Sequence, residues 1–425
     1  MANPFSKELK LFSICTPCYG NTSRHLEKFA DTLNEQDYKE FEWVLTFDGK
    51  NPKGEKLIKK VIKKYPDMRI SYYTIKHAGV CAARNNSAKY AKGDYLVFTS
   101  PDCWFYPETL RIWANAFEAD PKINRVWGKY DILQDNGEIA YAIGNAPIGQ
   151  DGKVWYPAFK WSPYADASFP IRKEAFIPWD VDCHSLNDWE WSVRLLAQDD
   201  YKGDDWLYID QSFFLAEAPQ PKGLSFDSHA NWEERKKYIQ EKNGIKVSDI
   251  CVTSLGAPGH AFAVTEMLNG EYLRMPSFKK HHYKMVYLLG FFTREDPQQP
   301  GFVTRTHMDV FKGNKGVSVI HWIGTDILDL FWHNSFAKLK AIKAWMKREK
   351  IINLCECKET QKELAEIGID AKIIPIPPKK LFTPMPLPDE FTVGVYLPAG
   401  DPAKYKEREV WEVIRSLPDI KFYIF

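Results

Sequence analysis

The chain has 425 residues, with 57 Lys plus Arg, 56 Asp plus Glu and a formal net charge of +1. This balance, without a basic tract, implies no polyanionic partner and therefore no nucleic acid. The length predicts about two or three domains. The N-terminus has no apolar signal region, no apolar run is long enough to span a membrane, and the 8 Cys are scattered, so we expect a cytoplasmic protein with no transmembrane segment.

The first hundred residues alternate between strand and helix patterns. The segments LFSICTP, EWVLTFD, ISYYTIK and YLVFTS are apolar enough for buried strands. A helix with Leu26, Phe29, Ala30 and Leu33 on its inner face is predicted after the first strand, and one with Leu57, Ile58, Val61 and Ile62 after the second. Such alternation predicts a parallel sheet with right-handed crossovers, the start of an α/β domain over residues 1–255.

The rest of the chain divides by composition. Residues 120–255 are less regular, with helices predicted at DWEWSVRLLAQ and NWEERKKYIQEKNG. Residues 256–283 are predicted to be a linker, and strand–helix alternation resumes over 284–378. A Pro-rich stretch and two more strands occupy 379–425, where we expect an interlobe segment and the truncated start of a second lobe, because two strands do not complete a parallel sheet.

Polar residues follow the four N-terminal strands where each strand ends: Thr16 to Tyr19, Asp48-Gly49, Lys76-His77 and Asp102. In a parallel sheet these ends share one edge, which is where open α/β sheets bind ligands. Carboxylates there can bind a ribose, a base or a metal ion, so the pattern indicates a nucleotide site. Asp102 alone, after Ser100-Pro101, is more typical of a turn or a helix cap than of a ligand site.

The segments SICTPCYGN, WVLTFDGK, GVCAARNNSAKYAKGDYLVFTSPD and NDWEWSVRL resemble a family 2 glycosyltransferase of the GT-A fold. The resemblance covers about residues 10–230, and implies a Rossmann-like, nucleotide-diphospho-sugar transferase domain. It also implies an enzyme of polysaccharide biosynthesis that moves a hexose-type sugar, with inversion, from a nucleoside diphosphate sugar to a hydroxyl of a glycan, lipid-linked or protein acceptor.

The resemblance also implies roles for individual residues. Pro17, Tyr19 and Asp48 would contact the nucleoside, and Arg84, in Ala-Arg-Asn, would steady the nucleotide or its diphosphate. Asp102 matches the second Asp of the family's Asp-x-Asp and would bind the donor and hold Mn²⁺ or Mg²⁺. Serine occupies the position of the first Asp, which weakens the predicted metal site.

Two further residues have alternative interpretations. Asp188 matches the family's general base, but an acid in the first turn of a helix is also favoured by the helix dipole. Asn187 replaces the Glu that precedes this base in the family. His229 lies where some family members place a metal-binding His, although lone histidines are more often structural or surface residues.

Residues 284–425 bear a looser resemblance to a truncated GT-B glycosyltransferase, a partial Rossmann-like unit without donor binding of its own. His321, Gly324, Thr325 and Asp326 would face its interlobe cleft, or one of the last two would cap a helix.

Two other function classes stay open. The missing Asp favours a non-catalytic sugar-nucleotide-binding or scaffold module. Cys15 and Cys18, spaced as C-x-x-C, would suit a thiol redox protein.

Overall fold

The structure is a computed structural model that describes residues 10–143, 146–149, 152–162, 168–218, 232–254, 258–273, 283–292, 307–332, 334, 336–376, 392–395, 407–417 and 421–424. The chain forms two compact units, Met1–Ile376 and Pro377–Phe425. Within the described ranges, no helix combines the length and the apolar character needed to cross a lipid bilayer.

The first sheet of the larger unit begins with the strands expected from the alternation. Its strands are β1 (Phe12–Cys18), β2 (Phe41–Asp48), β3 (Arg69–Ile75), β4 (Tyr95–Phe98), β5 (Cys103–Phe105), β6 (Arg125–Leu133), β7 (Ile139–Ile143), β8 (Pro170–Arg172) and β9 (Trp206–Glu217). Their order is β3-β2-β1-β4-β8-β6-β9-β5, with β7 paired to β6. The first four strands are mutually parallel, whereas β8 and β5 pair antiparallel to β4 and β9.

Amphipathic helices cover this sheet: α1 (Leu26–Asn34), α2 (Pro52–Lys64), α3 (Val80–Tyr90), α4 (Thr109–Ala119), α5 (Asn187–Ala197) and α6 (Trp232–Lys242). The predicted apolar face of α1 is confirmed, because all four of its residues are fully buried. Helix α2 begins at a proline, and the Asn51 side chain caps it by accepting the N–H of Gly54 at 2.9 Å.

The parallel arrangement places the carboxyl ends of β1 to β4 on one edge of the sheet. Cys18, Asp48, Ile75 and Phe98 are the last residues of these strands. The predicted convergence of the polar residues that end or follow the strands is therefore confirmed at the level of the backbone.

A second sheet in the same unit is parallel throughout. It comprises β10 (Ile250–Thr253), β11 (Glu271–Tyr272), β12 (Met285–Leu289), β13 (Val317–Trp322), β14 (Ile352–Cys355) and β15 (Lys372–Ile373), in the order β11-β10-β12-β13-β14-β15. Its helices are α7 (Pro258–Met267), α8 (Thr325–Trp332), α9 (Phe336–Arg348) and α10 (Lys358–Glu366).

The prediction of a linker over 256–283 differs from the structure in its first half. This range contains α7 and β11, and the second sheet already begins at Ile250. Pro258 stands at the first position of α7, where a proline is tolerated, and Gly270 lies in the turn before β11. The Pro and Gly residues therefore mark the ends of elements. The remaining domain boundaries stay predictions.

The second sheet packs against the first domain through a 3-10 helix and α6. Trp155, just before the 3-10 helix Tyr156–Lys160, stacks on Phe262 with ring centroids 4.2 Å apart. Its Nε1–H donates to Glu266 at 2.8 Å. Lys236 of α6 forms a buried ion pair with Glu271 of β11. An apolar cluster with a buried ion pair at its edge therefore joins the two sheets.

The smaller unit contains β16 (Thr392–Val395), α11 (Glu407–Ser416) and β17 (Lys421–Ile424), and its two strands pair in parallel. Residues 379–391, expected to form most of the interlobe segment, lie outside the described residues.

Candidate functional site

At the carboxyl edge, Tyr19, His77 and Asp48 come together. The ring of Tyr19 stacks on that of His77, with centroids 4.6 Å apart and planes 20° apart. Tyr19 is 59% exposed and His77 is also exposed, so the pair presents a flat aromatic surface to solvent. The sequence indicates His77 only as a polar residue after a strand, and its contacts with Tyr19 and Asp48 bring it to the candidate site.

The side chain of Asp48 contacts the loop between β3 and α3. Its side chain is 3% exposed and lies 2.8 Å from Nδ1 of His77. It also accepts the backbone N–H groups of Ala78 at 2.7 Å and Gly79 at 3.0 Å. A carboxylate with three such donors fixes this loop and orients His77. Contact between Asp48 and the nucleoside stays a prediction. The exposed ring that Asp48 holds by a hydrogen bond is that of His77.

Pro17 lies inside β1, where it is paired with Thr46 and buried. Its predicted contact with the nucleoside therefore stays a prediction that rests on the resemblance. Cys15 and Cys18 are buried in the same strand. Burial raises the pKa of the Cys18 thiol to about 11 and that of Cys15 further. Since the thiolate is the reactive species, the environment of these residues contradicts the thiol redox alternative.

Asp102 lies beyond β4, in a turn closed by the Cys103 N–H donating to the carbonyl of Ser100 at 3.1 Å. Asp102 therefore lies in a turn, as one interpretation of the sequence predicts, and this position is compatible with its predicted role as a ligand. The backbone N–H of Glu217 donates to the Asp102 carbonyl at 3.0 Å. Within the described residues, no group of three or more potential metal-binding side chains occurs. His229 lies outside the described residues, so its predicted metal contact stays a prediction.

Arg84 and Asn85 on α3 hold the loop that leads into α5. Nη1 of Arg84 donates to the side-chain oxygen of Asn187 at 2.6 Å, and its guanidinium lies 4.3 Å from the ring centroid of Trp179. Asn85 exchanges two hydrogen bonds of 2.8 Å with the backbone of Trp179. These contacts restrain the chain immediately before Asp188. Contact between Arg84 and the nucleotide stays a prediction.

Asp188 is half-buried and lies in the first turn of α5, a helix that the sequence predicts; its role as general base stays a prediction. The residue before this helix, Leu186, has a left-handed backbone with φ 55°. Non-glycine residues seldom adopt this conformation without support from their surroundings. Glu190, two residues after Asp188, is fully buried and accepts hydrogen bonds of 2.7 and 3.0 Å from Arg194, with which it forms an i,i+4 ion pair on the same helix.

Two of the candidate residues of the second sheet, His321 and Asp326, are buried. Asp326 accepts the N–H groups of Phe291 at 2.9 Å and Ile323 at 3.0 Å, and burial raises its pKa to about 7. His321 is bonded to the Tyr287 hydroxyl, and burial lowers its pKa to about 4. Asp326, in the first turn of α8, therefore binds backbone N–H groups that precede the helix, and the capping interpretation stays a prediction. The prediction that His321 and Asp326 face a cleft is wrong for this unit, because neither side chain reaches its surface.

The parallel strands define a Rossmann-like α/β domain, and the candidate residues lie at the carboxyl edge, where such sheets bind ligands. Residues 13–177 match the family model of Glycosyl transferase family 2, so this part of the chain is a family 2 glycosyltransferase domain. The match confirms the resemblance and the GT-A fold expected of the N-terminal domain. The looser GT-B resemblance of residues 284–425 stays a prediction.

Several curated proteins are similar over part of the chain. An uncharacterized glycosyltransferase of Rickettsia bellii is 28% identical over 134 residues, 31% of this chain and 19% of that protein. Glycosyltransferase GlyA of Streptococcus pneumoniae is 32% identical over 25% of this chain and 16% of that protein. The minor teichoic acid biosynthesis protein GgaB of Bacillus subtilis is 32% identical over 21% of this chain and 10% of that protein. The matches span about a fifth of these relatives or less.

Two solved structures show a more distant similarity. Staphylococcus aureus TarS 1–349 in complex with UDP-GlcNAc is 16% identical, with a TM-score of 0.42 over 55% of this chain and 71% of that chain. The mannosyltransferase PcManGT from Pyrobaculum calidifontis, in complex with GDP-Man and Mn²⁺, is 17% identical, with a TM-score of 0.38 over 55% of this chain and 63% of that chain.

Proposed function

We propose that this chain transfers a sugar from a nucleoside diphosphate sugar to an acceptor hydroxyl, with inversion and with the help of Mn²⁺ or Mg²⁺. The proposal is carried by one observation: the family 2 match spans the sheet edge at which Tyr19, Asp48, His77 and Asp102 gather. The acceptor would be a glycan, a lipid-linked molecule or a protein.

The nucleoside would bind at the exposed aromatic pair. Tyr19 and His77 offer a flat surface suited to stacking on a base. Asp48 keeps His77 in place from below, since its carboxylate is buried and bonded to the same loop. Donor binding therefore depends on Asp48 at least indirectly.

Asp188 would act as the general base. Its carboxylate accepts the proton of the acceptor hydroxyl while the hydroxyl oxygen forms a bond to the anomeric carbon. The bond between that carbon and the diphosphate oxygen breaks in the same step, and its electron pair leaves with the diphosphate. Because attack and departure take place on opposite faces, the configuration inverts. Arg84 and Asn85 would hold Asp188 in place through the loop before α5.

The carboxylate of Asp102 suits a divalent cation. Mg²⁺ and similar ions are usually held by one or two carboxylates together with substrate phosphates and water. The absence of a three-residue cluster in the described part of the chain is compatible with such a site. When bound, the cation would offset the charge that grows on the departing diphosphate.

Thermal unfolding in the presence of UDP-, GDP- and TDP-sugars, with and without Mn²⁺, tests the donor site. A ligand at a hundred times its Kd should add about 2.7 kcal/mol to the unfolding free energy. We expect one nucleotide class to stabilise the protein in a Mn²⁺-dependent manner, and Asp102→Asn to lose this shift. If no donor stabilises the wild-type protein, the proposed donor site is wrong.

Turnover distinguishes an enzyme from the alternative that Ser100 favours, a module that binds the donor without using it. With the stabilising donor, we expect sugar transfer or slow donor hydrolysis that Asp188→Asn abolishes without weakening donor binding. Asp182→Asn, an exposed acid in the preceding loop, serves as the control. Donor binding without any turnover by the wild-type protein would favour the non-catalytic module.

A further inference from the structure

Helix α9 packs on the second sheet through one side only. Ile342, Trp345 and Met346 are buried in the apolar cluster of that sheet. The ring of Trp345 stacks on that of Phe291, with centroids 5.8 Å apart and planes 19° apart. Because an α-helix has about 3.6 residues per turn, these three side chains share one side of α9, and the opposite side faces away from the sheet.

The side of α9 that faces away from the sheet is strongly basic. The helix, FAKLKAIKAWMKR, contains no Asp or Glu, and the acid that follows it, Glu349, is paired with Arg348 at 3.0 Å. Lys340, Lys343 and Lys347 follow one another at helical spacing and therefore form a row. Lys340 and Lys347 are exposed and Lys343 is half-buried, and within the described residues none of the three has an ion-pair partner. The chain has a formal net charge of +1, so this excess of positive charge is local.

An exposed aromatic ring begins the same row. Phe336, the first residue of α9, is 85% exposed, more than any other large apolar side chain in the part of the chain that the structure describes. It precedes Lys340 by about one turn, so the ring and the three lysines form a single surface, which we call the basic stripe. Because removing a phenyl ring from water is favourable, a partner with an apolar layer would bind this end of the stripe better than a fully hydrated one.

An anionic bilayer matches both properties of the basic stripe. Its headgroups attract lysines that lie close to the surface, and an aromatic side chain can enter the boundary between headgroups and acyl chains. We propose that the basic stripe docks this protein on an anionic lipid surface, with Phe336 inserted among the headgroups. A soluble polyanion would satisfy the lysines but would leave the ring in water. The inference uses no residue of the candidate donor site and is independent of the proposed function.

Cosedimentation of the full chain with lipid vesicles tests this proposal. We expect binding to vesicles of phosphatidylcholine mixed with phosphatidylglycerol, little binding to phosphatidylcholine alone, and weaker binding at high salt. Phe336→Ser should weaken binding about tenfold, because the apolar contact is lost. The double variant Lys340→Gln/Lys347→Gln should weaken it about 10- to 30-fold, since each lysine near such a surface contributes about a factor of five. All three side chains are exposed, so the unfolding temperature should stay at the wild-type value.

A second double variant controls for net charge. Lys56→Gln/Lys59→Gln removes two exposed lysines from α2, in the first domain, and should bind vesicles as the wild-type protein does. An equal loss in this control would show that total charge governs binding, and would overturn the proposal. So would failure of the wild-type protein to bind phosphatidylglycerol vesicles, or equal binding to phosphatidylcholine alone. If Phe336→Ser binds like the wild-type protein and dextran sulfate competes with the vesicles, the stripe recognises a soluble polyanion, and the lipid surface is the wrong partner.

Discussion

Replacing Asp48 with Asn should destabilise the first domain and weaken its binding of nucleotides. The buried carboxylate receives three hydrogen bonds, two of them on the oxygen that lies near His77 and Gly79. An amide can accept on one atom only, so at least one of these donors loses its partner. Hydrogen bonds to a charged group contribute about 1.5–3 kcal/mol each, and we expect a loss of about 2–4 kcal/mol in the free energy of unfolding.

Urea unfolding followed by tryptophan fluorescence measures this loss, and the melting temperature should fall by about 5–10 °C. Asp67→Asn, which changes an exposed carboxylate near the start of β3, is the matched control and should leave both values unchanged. His77→Ala should cost less than about 1 kcal/mol, because it removes an exposed ring, but should weaken nucleotide binding as strongly as Asp48→Asn. A loss below about 0.5 kcal/mol for Asp48→Asn would refute the assigned hydrogen bonds.

Three other substitutions test different parts of the molecule. Arg84→Gln should lower kcat about 10- to 100-fold with little change in donor Kd, because it removes a hydrogen bond that restrains the loop before Asp188. An equal loss of donor affinity in equilibrium titration would instead indicate that Arg84 contacts the nucleotide. Trp155→Ala should lower the free energy of unfolding by about 3–5 kcal/mol in urea, and a loss under about 1 kcal/mol would contradict the packing between the sheets. Burial lowers the pKa of His321 from 6.5 to about 4. The contribution of the neutral His321 side chain to the free energy of unfolding is therefore fully present above pH 6.5 and is lost as the pH falls towards 4. His321→Asn should therefore lose less stability on acidification than the wild-type protein, by about 1–3 kcal/mol, and parallel stability–pH curves would show that His321 titrates normally.

The regular part of the fold was predictable because local patterns determine it. The strand–helix alternation of the first hundred residues predicts β1 to β4 and the buried face of α1, which is fully buried in the structure. The same reasoning missed β6 and β9, whose pairing is non-local and interrupted by register shifts. It also predicts a linker where α7 lies, because Pro and Gly are typical both of linkers and of the ends of helices.

The candidate site was predictable in its residue types but not in its contacts. Asp48 could be selected by its position at the end of a strand, and Arg84 and Asp188 by the resemblance of their segments to the family's motifs. The contacts of these residues depend on how separate loops meet. Asp48 is hydrogen-bonded to residues 77–79, and Arg84 is hydrogen-bonded to a side chain 103 residues further along the chain.

The packing around Trp155 has a consequence for anyone who wishes to express the transferase domain alone. A protein cut after residue 254 would keep Trp155 and Ala158, which belong to the apolar cluster shared with the second sheet, and would lose Phe262, Tyr272 and the rest of their neighbours. The newly bared apolar patch would promote association between copies. Ile376, the last residue of the larger unit, is therefore the better place to end a shortened version.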